Sequence, residues 1–235
     1  MKTRMNVAIR RNRQTPCGAP QGFTLLELLT VISIIGILAS VAGPGLSNAL
    51  QAAKANAAMQ KARQIALGLR GFALDNGGAY PVGENTFGES ITSSNAAFRD
   101  LYDYLEDESV FAVKGSNWGA DADNKMESGS DYVQAGENHF AYIAGLDTMS
   151  RSSWPLVTDG TDGQGTFVTD RKQRGGLWAG KRGAIVRCDG SGSVVRLSRS
   201  KGGGARFIPR DDDPQQNALE VSYMGEGVKL LDPEG

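Results

Sequence analysis

The pattern of apolar and polar positions changes abruptly at Phe23. The preceding residues are polar and basic, whereas residues 23–42 form an almost continuous apolar run in which Glu27 is the one charged residue. As a helix, these roughly 20 residues would extend about 30 Å, which matches the hydrocarbon core of a bilayer. We therefore predict a membrane-spanning helical segment over residues 23–43. A carboxylate in such a segment is costly and usually functional.

A second helical segment follows the sequence Gly43-Pro44-Gly45. Proline lacks a backbone donor and clashes with the preceding turn, so we expect a kink or a locally melted turn at Pro44. The helical pattern then resumes and continues over residues 44–76. Asn76-Gly77-Gly78 predicts its end, because glycine readily adopts the left-handed conformation that closes a helix.

This second segment carries two apolar stripes at helical spacing, rotated from each other by roughly 100°. We predict that the earlier stripe contacts neighbouring helices and that the later one packs on the chain's own head domain. The earlier stripe comprises Leu46, Leu50, Ala53 and Ala57, and the later one comprises Ala58, Ala62, Ile65, Leu69 and Phe72.

The head, residues 77–235, has a mixed pattern that indicates an α+β fold. Residues 96–105 suit a short amphipathic helix capped by Ser94 or Asn95. Short strands are predicted at 139–146 and 166–170. The clearest signal is a β-hairpin at 183–198, where Asp189-Gly190-Ser191-Gly192 separates two β-branched runs. The segment from Asp211 onward is acidic and weakly patterned, and we predict an irregular tail.

Charge is distributed unevenly along the chain. Residues 1–22 contain five basic residues and no acidic one, which leaves 20 basic against 26 acidic residues in the rest of the chain. A basic start followed by an apolar run is the layout of an export signal whose positive charge stays in the cytoplasm. The acidic remainder offers no basic face for phosphates, so we expect no nucleic-acid partner.

The chain has two cysteines, Cys17 and Cys188. Removal of the basic leader would take Cys17 with it, so the mature chain could form no internal disulfide. The head must then be held together by packing, by ions or by neighbouring subunits. We predict that Cys188 is a buried, small apolar residue.

The segment GFTLLELLTVISIIGIL, which begins at Gly22, closely resembles the signal of type IV prepilins and type II secretion pseudopilins. LDNGGAYP at 74–81 further resembles the end of the long helix in major pseudopilins. The resemblance covers residues 16–81. It implies a pilin-like fold, in which a long N-terminal α-helix packs on a small antiparallel β-sheet head.

The same resemblance implies the fate of each signal residue. A prepilin peptidase would remove residues 1–22 by cutting after Gly22, and would methylate the new amino terminus of Phe23. Glu27 would pair with the Phe23 amino group of an adjacent subunit, and Pro44 falls where the family often has its helix-melting proline. A buried pair of this kind favours one register, because an unpaired buried charge costs about 3–5 kcal/mol.

The resemblance also implies partners and location. The chain would lie first in the bacterial inner membrane as a single-pass protein, in contact with lipid, with its leader in the cytoplasm and its head outside. It would then assemble with copies of itself and with other pseudopilins or pilins, on an inner-membrane assembly platform, into a periplasmic or cell-surface filament. LDNGGAYP favours a secretion pseudopilin. A surface pilus subunit, or a minor tip adhesin that uses its three tryptophans for binding, remains an alternative.

We expect no enzymatic activity. The single histidine, His139, has no triad, zinc spacing or phosphate loop around it, and a packed or surface strand position is expected. No cofactor is expected except calcium, which major pseudopilins bind in a head loop. Asp159, Asp162 and Asp170 offer oxygen ligands on a turn-rich loop. A second acidic set comprises Asp121, Asp123, Asn124 and Glu127.

Overall fold

A computed structural model describes residues 22–120, 122–124, 131–200 and 205–234, with the backbone alone for residues 41–45. The predicted leader, residues 1–22, lies outside the described residues except for Gly22. The chain divides into two compact units, residues 1–47 and residues 48–235. Helix α1 begins in the first unit and ends in the second.

Helix α1 extends over Leu25–Asp75 and ends where the sequence predicts. Gly77 and Gly78 have positive φ angles of 64° and 91°, which residues with a Cβ rarely adopt. The Gly78 amide donates to the Ala73 carbonyl at 2.7 Å, and this bond satisfies one of the last carbonyls of the helix.

The backbone remains helical through Gly43, Pro44 and Gly45. The locally melted turn that we expected at Pro44 is therefore absent from this structure. A proline removes one backbone donor from a helix and leaves the other hydrogen bonds of the flanking turns available, so helical backbone can continue past it.

The later apolar stripe of α1 is buried in the core of the second unit, as predicted. All five of its residues are at most 8% exposed, and three are fully buried: Ala62, Ile65 and Leu69. Leu46 and Leu50 of the earlier stripe are 62% and 55% exposed. The two stripes therefore differ in environment as their spacing predicts.

The head contains a five-stranded antiparallel sheet with the strand order β4-β3-β2-β1-β7. Its strands are β1 (Phe140–Ala144), β2 (Pro155–Asp159), β3 (Arg182–Arg187), β4 (Gly192–Arg196) and β7 (Lys229–Leu231). A two-stranded sheet pairs β5 (Ser198–Arg199) with β6 (Arg206–Phe207). Strand β1 and the β3–β4 hairpin were predicted, so the α+β class is confirmed.

Two predictions for the head are wrong. Residues 166–170 do not form a strand, because the Phe167 amide donates to Arg206 and the Val168 amide donates to Gly175, so no continuous ladder forms. The C-terminal segment is not an irregular tail. Its strand β7 pairs with β1 and forms one edge of the sheet.

The short helix of the head is displaced from its predicted position. Helix α2 covers Ser94–Arg99 and is capped by Ser93, whose side chain accepts from the Ala96 amide. The α-helix ends at Arg99 because the backbone bonds then change to the i→i−3 pattern: the Asp100 amide donates to the Ala97 carbonyl at 3.3 Å and the Leu101 amide to the Phe98 carbonyl at 3.0 Å. Single turns of 3-10 helix occur at Glu108–Val110 and Val221–Tyr223.

Both faces of the sheet are covered. Val186 of β3 belongs to the large core cluster that includes the later stripe of α1. The adjacent Ile185 points to the opposite face and joins a smaller cluster with Phe167 and Ile208. Two arginines of α1 hold the turn of the β3–β4 hairpin: Arg70 donates to the Cys188 carbonyl, and Arg63 donates to the Gly190 carbonyl at 3.3 Å.

Candidate functional site

The start of α1 is built by a reciprocal pair of side chains. The Glu27 carboxylate accepts from the Thr24 amide at 2.9 Å and from the Thr24 hydroxyl at 2.8 Å. In return, the Glu27 amide donates to the Thr24 hydroxyl oxygen at 3.2 Å. This is a capping box, and it holds the carboxylate in the first turn, where the helix dipole favours negative charge.

The bond between Gly22 and Phe23 lies just outside this helix. Both residues precede Leu25, the first helical residue, and both are exposed. A Cβ atom added at Gly22 would meet no other atom within 4 Å. The predicted cleavage bond is therefore in accessible, non-helical backbone one turn from Glu27.

In the first unit, the part of α1 up to Leu38 exposes large apolar side chains on all sides. Every such residue between Phe23 and Leu38 is at least 45% exposed: Phe23, Leu25, Leu26, Leu28, Leu29, Val31, Ile32, Ile34, Ile35, Ile37 and Leu38. A helix that is apolar on all sides is stable when another apolar environment covers it. Among the residues with described side chains, no helix is both long enough and apolar enough to cross a membrane.

The structure places the three predicted calcium ligands in separate hydrogen-bonded settings. Asp159 is fully buried in β2, and its Oδ2 atom accepts from Trp178 Nε1 and from the Ala184 amide, both at 2.7 Å. Asp162 accepts from the Thr166 amide at 3.0 Å, within its own turn. Asp170 accepts from the Lys172 amide. These three residues do not form a group with carboxylates close enough to share one ion.

A different group of acidic residues does come together. One carboxylate oxygen from each of Glu108, Asp123 and Glu137 lies within 4.8 Å of the other two. Asp123 belongs to the second acidic set weighed from the sequence, but Glu108 and Glu137 were missed. Of that set, Asp121 and Glu127 lie outside the described residues. No local spacing could have revealed the group, because its members come from three distant segments.

The remaining candidate residues of the head serve its packing. His139 is buried: its Nδ1 atom accepts from the Val113 amide at 3.3 Å, and its Nε2 atom is 2.9 Å from the Trp118 carbonyl. These contacts assign the neutral Nε2–H tautomer. Trp118 and Trp178 are also buried, whereas Trp154 is half-buried. Cys188 is a buried free thiol, as predicted.

Together these features define a class: an α+β chain with a long N-terminal helix and a five-stranded antiparallel sheet, consistent with a pilin-like fold. Residues 19–43 match the prokaryotic N-terminal methylation motif, the signal of type IV pilins and pseudopilins. The chain therefore carries the signal of a class of structural filament proteins. Comparisons with curated proteins and with solved structures give no match.

Proposed function

We propose that this protein is a structural subunit of a type IV pilus-like filament, and specifically a major-type pseudopilin of a type II secretion system. Prepilin peptidase cuts after Gly22 and methylates Phe23. The observation that carries the proposal is the methylation motif at 19–43, whose cleavage bond lies in exposed backbone immediately before α1. LDNGGAYP at 74–81 supports the pseudopilin assignment, because it forms the helix end and the entry into the head.

In this proposal Glu27 acts as a register device during assembly. Cleavage creates a positive amino terminus at Phe23, and the Glu27 carboxylate of an adjacent subunit pairs with it. The Thr24 capping box supports this role, since it restricts the carboxylate to the first helical turn before any neighbour arrives. Deleting one partner of a buried pair costs about 3–5 kcal/mol, so docking out of register is strongly disfavoured.

The exposed apolar side chains of residues 23–38 suit two successive environments, the membrane and the filament core. In the inner membrane they contact lipid, with the leader in the cytoplasm and the head outside. In the filament they pack against the same helix of neighbouring subunits. The proposed partners are thus prepilin peptidase, other copies of the chain, related pseudopilins or pilins, and an inner-membrane assembly platform. The proposed role is structural, not catalytic, and involves no nucleic acid.

Intact mass measurement and amino-terminal sequencing of the mature protein test the processing step. We expect a chain that starts at N-methylated Phe23. An uncut chain, or one cut after residue 42, would contradict the proposal. A deletion mutant then distinguishes the two filament types. Loss of the protein should block secretion of exported enzymes if it is a pseudopilin, and should remove surface fibres if it is a pilus subunit.

The assembly step is tested with Glu27→Ala, and Glu106→Ala serves as a matched control because Glu106 is an exposed head residue. The Glu27 variant should be cut and methylated normally but should form no filaments, as seen by electron microscopy of filaments isolated after cell disruption. The control should form filaments normally. Normal filaments from Glu27→Ala would refute the pairing role.

A second candidate, a minor tip subunit that binds a ligand, is favoured by one surface groove of about 300 Å³. Its lining includes Trp154, which meets Tyr223 edge-on with ring centroids 6.5 Å apart. The Arg210 guanidinium stacks over the Tyr223 ring at 4.1 Å. Quantitative mass spectrometry of purified filaments distinguishes the two roles. A major subunit dominates the filament mass, whereas a tip subunit is present in a few copies.

A further inference from the structure

Three acidic side chains from distant parts of the head meet at one point. Glu108 begins a single turn of 3-10 helix, Asp123 lies in the following loop, and Glu137 precedes strand β1. One carboxylate oxygen of each lies within 4.8 Å of the other two. Like charges at such distances repel one another, so this arrangement favours the binding of a proton or a cation.

Glu108 contributes a buried carboxylate oxygen that a cation could bind. The residue is fully buried, and its Oε1 atom accepts from the Val133 amide at 2.6 Å. Its Oε2 atom is also buried and has no hydrogen-bond partner within the described part of the chain. Buried acceptors are almost always satisfied, and an orphaned one in a native structure calls for an explanation such as an ion.

The second buried carboxylate is fixed in position by the backbone. Glu137 accepts from the Asp123 amide at 3.1 Å with one oxygen and from the Gln134 amide at 2.8 Å with the other. These bonds join the loop at Asp123 to the segment that leads into β1. Glu137 therefore presents its carboxylate in the group without depending on the side chain of Asp123.

The electrostatics agree with this geometry. Burial, followed by the charges of Glu137 and Asp123, raises the pKa of Glu108 to about 7, while the Val133 amide opposes the rise.

We propose that Glu108, Asp123 and Glu137 form a binding site for a divalent cation of the oxygen-preferring class, and that Ca²⁺ fits it best. Calcium binds oxygen at about 2.3–2.6 Å, so oxygens up to 4.8 Å apart can share one ion. Magnesium needs shorter distances of about 2.0–2.1 Å in a strict octahedron. Zinc favours nitrogen and sulfur ligands, which these three residues do not offer.

An ion at this site would stabilise a specific region of the head. Ala120 donates to the Gly136 carbonyl at 2.7 Å, and Gly136 donates to the Glu234 carbonyl at 3.0 Å. The ion would join Glu108 to the segments that contain Asp123 and Glu137, and would give Glu108 Oε2 a partner. The inference concerns the head alone and goes beyond the proposed function in the filament.

The test uses the full chain in mild detergent, with CaCl₂ as the probe. Isothermal titration calorimetry should show one calcium per chain, and thermal unfolding should shift upward by several degrees with calcium and return with EDTA. Asp123→Asn changes an exposed residue and should weaken calcium binding at least tenfold. Asp162→Asn, in the loop first considered for calcium, is the matched control and should bind as the unmodified protein does.

Glu108→Gln should give a melting behaviour that a misfolded variant would not show. The amide removes the repulsion within the group, so the metal-free variant should melt at or above the temperature of the metal-free unmodified protein, and calcium should no longer raise it. The proposal is overturned if the unmodified protein shows no calcium-dependent heat or melting shift. It is also overturned if Asp162→Asn abolishes the effect while Asp123→Asn keeps it.

Discussion

Asp159 makes the stability of the head depend on pH in a direction that is unusual for an aspartate. Its side chain is fully buried, and its Oδ1 atom has no hydrogen-bond partner within the described residues. Burial raises the pKa of Asp159 from 3.8 to about 7, against the lowering effect of the bonds from Ala184 and Trp178. The native state therefore keeps a proton that the unfolded chain releases above about pH 4.

The size of the effect follows from proton linkage. Between pH 4 and 7 the native state binds about one more proton than the unfolded state, so the free energy of unfolding falls by about 1.4 kcal/mol per pH unit. The total loss in the free energy of unfolding is about 4 kcal/mol, and it is complete above pH 7. Stability from this residue is fully present below its unfolded pKa and is lost as the pH rises through its folded pKa.

Asp159→Asn tests this reasoning, because asparagine has the shape of a protonated aspartate and can still accept from Trp178 and Ala184. We expect the variant to differ from the original by about 1 kcal/mol or less near pH 4.5 and to exceed its stability by several kcal/mol at pH 8. Urea unfolding followed by tryptophan fluorescence, from pH 4.5 to 8 with EDTA present, measures the difference. Comparing the two proteins at each pH cancels the other titrating groups.

Glu108 is the necessary second control, since its pKa is also raised to about 7. The comparison is therefore repeated in a Glu108→Gln background, where the Glu108 carboxyl no longer contributes to the pH dependence of the unfolding free energy. If Asp159→Asn retains the same slope of unfolding free energy against pH as its parent in both backgrounds, the reasoning is refuted.

Three further predictions concern packing, a turn and a thiol. Leu69→Ala should cost about 2–5 kcal/mol in urea unfolding because Leu69 is fully buried, whereas Leu67→Ala, at a position 62% exposed, should change stability by less than about 0.5 kcal/mol. Gly78→Ala should cost more than about 1 kcal/mol and lower the melting temperature, because φ is 91° and the new Cβ would lie 2.8 Å from Thr148 Oγ1. The Cys188 thiol should react with a disulfide reagent only after denaturation, since burial raises its pKa to about 11.

The elements that could be predicted from sequence are those whose signals are local. The Asp189-Gly190 turn lies between two β-branched runs, and the structure forms the hairpin there. The later stripe of α1 has helical spacing and is buried as predicted, and the helix ends just before the two glycines that predict its end. The methylation signal is likewise a contiguous motif, so the candidate processing residues could be named without any structure.

The elements that were missed depend on distant partners. Strand β2 (Pro155–Asp159) is buried at all five positions because both sheet faces are covered, so it lacks the alternation that reveals a half-exposed strand. The cap of α2 is Ser93 because Ser94 turns inward to donate to the Phe140 carbonyl. Glu108 and Glu137 belong to one site only through the tertiary fold, and no periodicity along the chain encodes that.

Strand β7 protects the sheet. Its three residues cover the free side of β1, whose five residues are all buried. An uncovered, apolar strand is a template for pairing with other chains, whereas a short outer strand that exposes a charge such as Lys229 discourages it. Loss of the segment that follows Gly227 would therefore do more than shorten the chain. It would leave the apolar strand β1 as an uncovered sheet edge, and the truncated protein would be prone to aggregation.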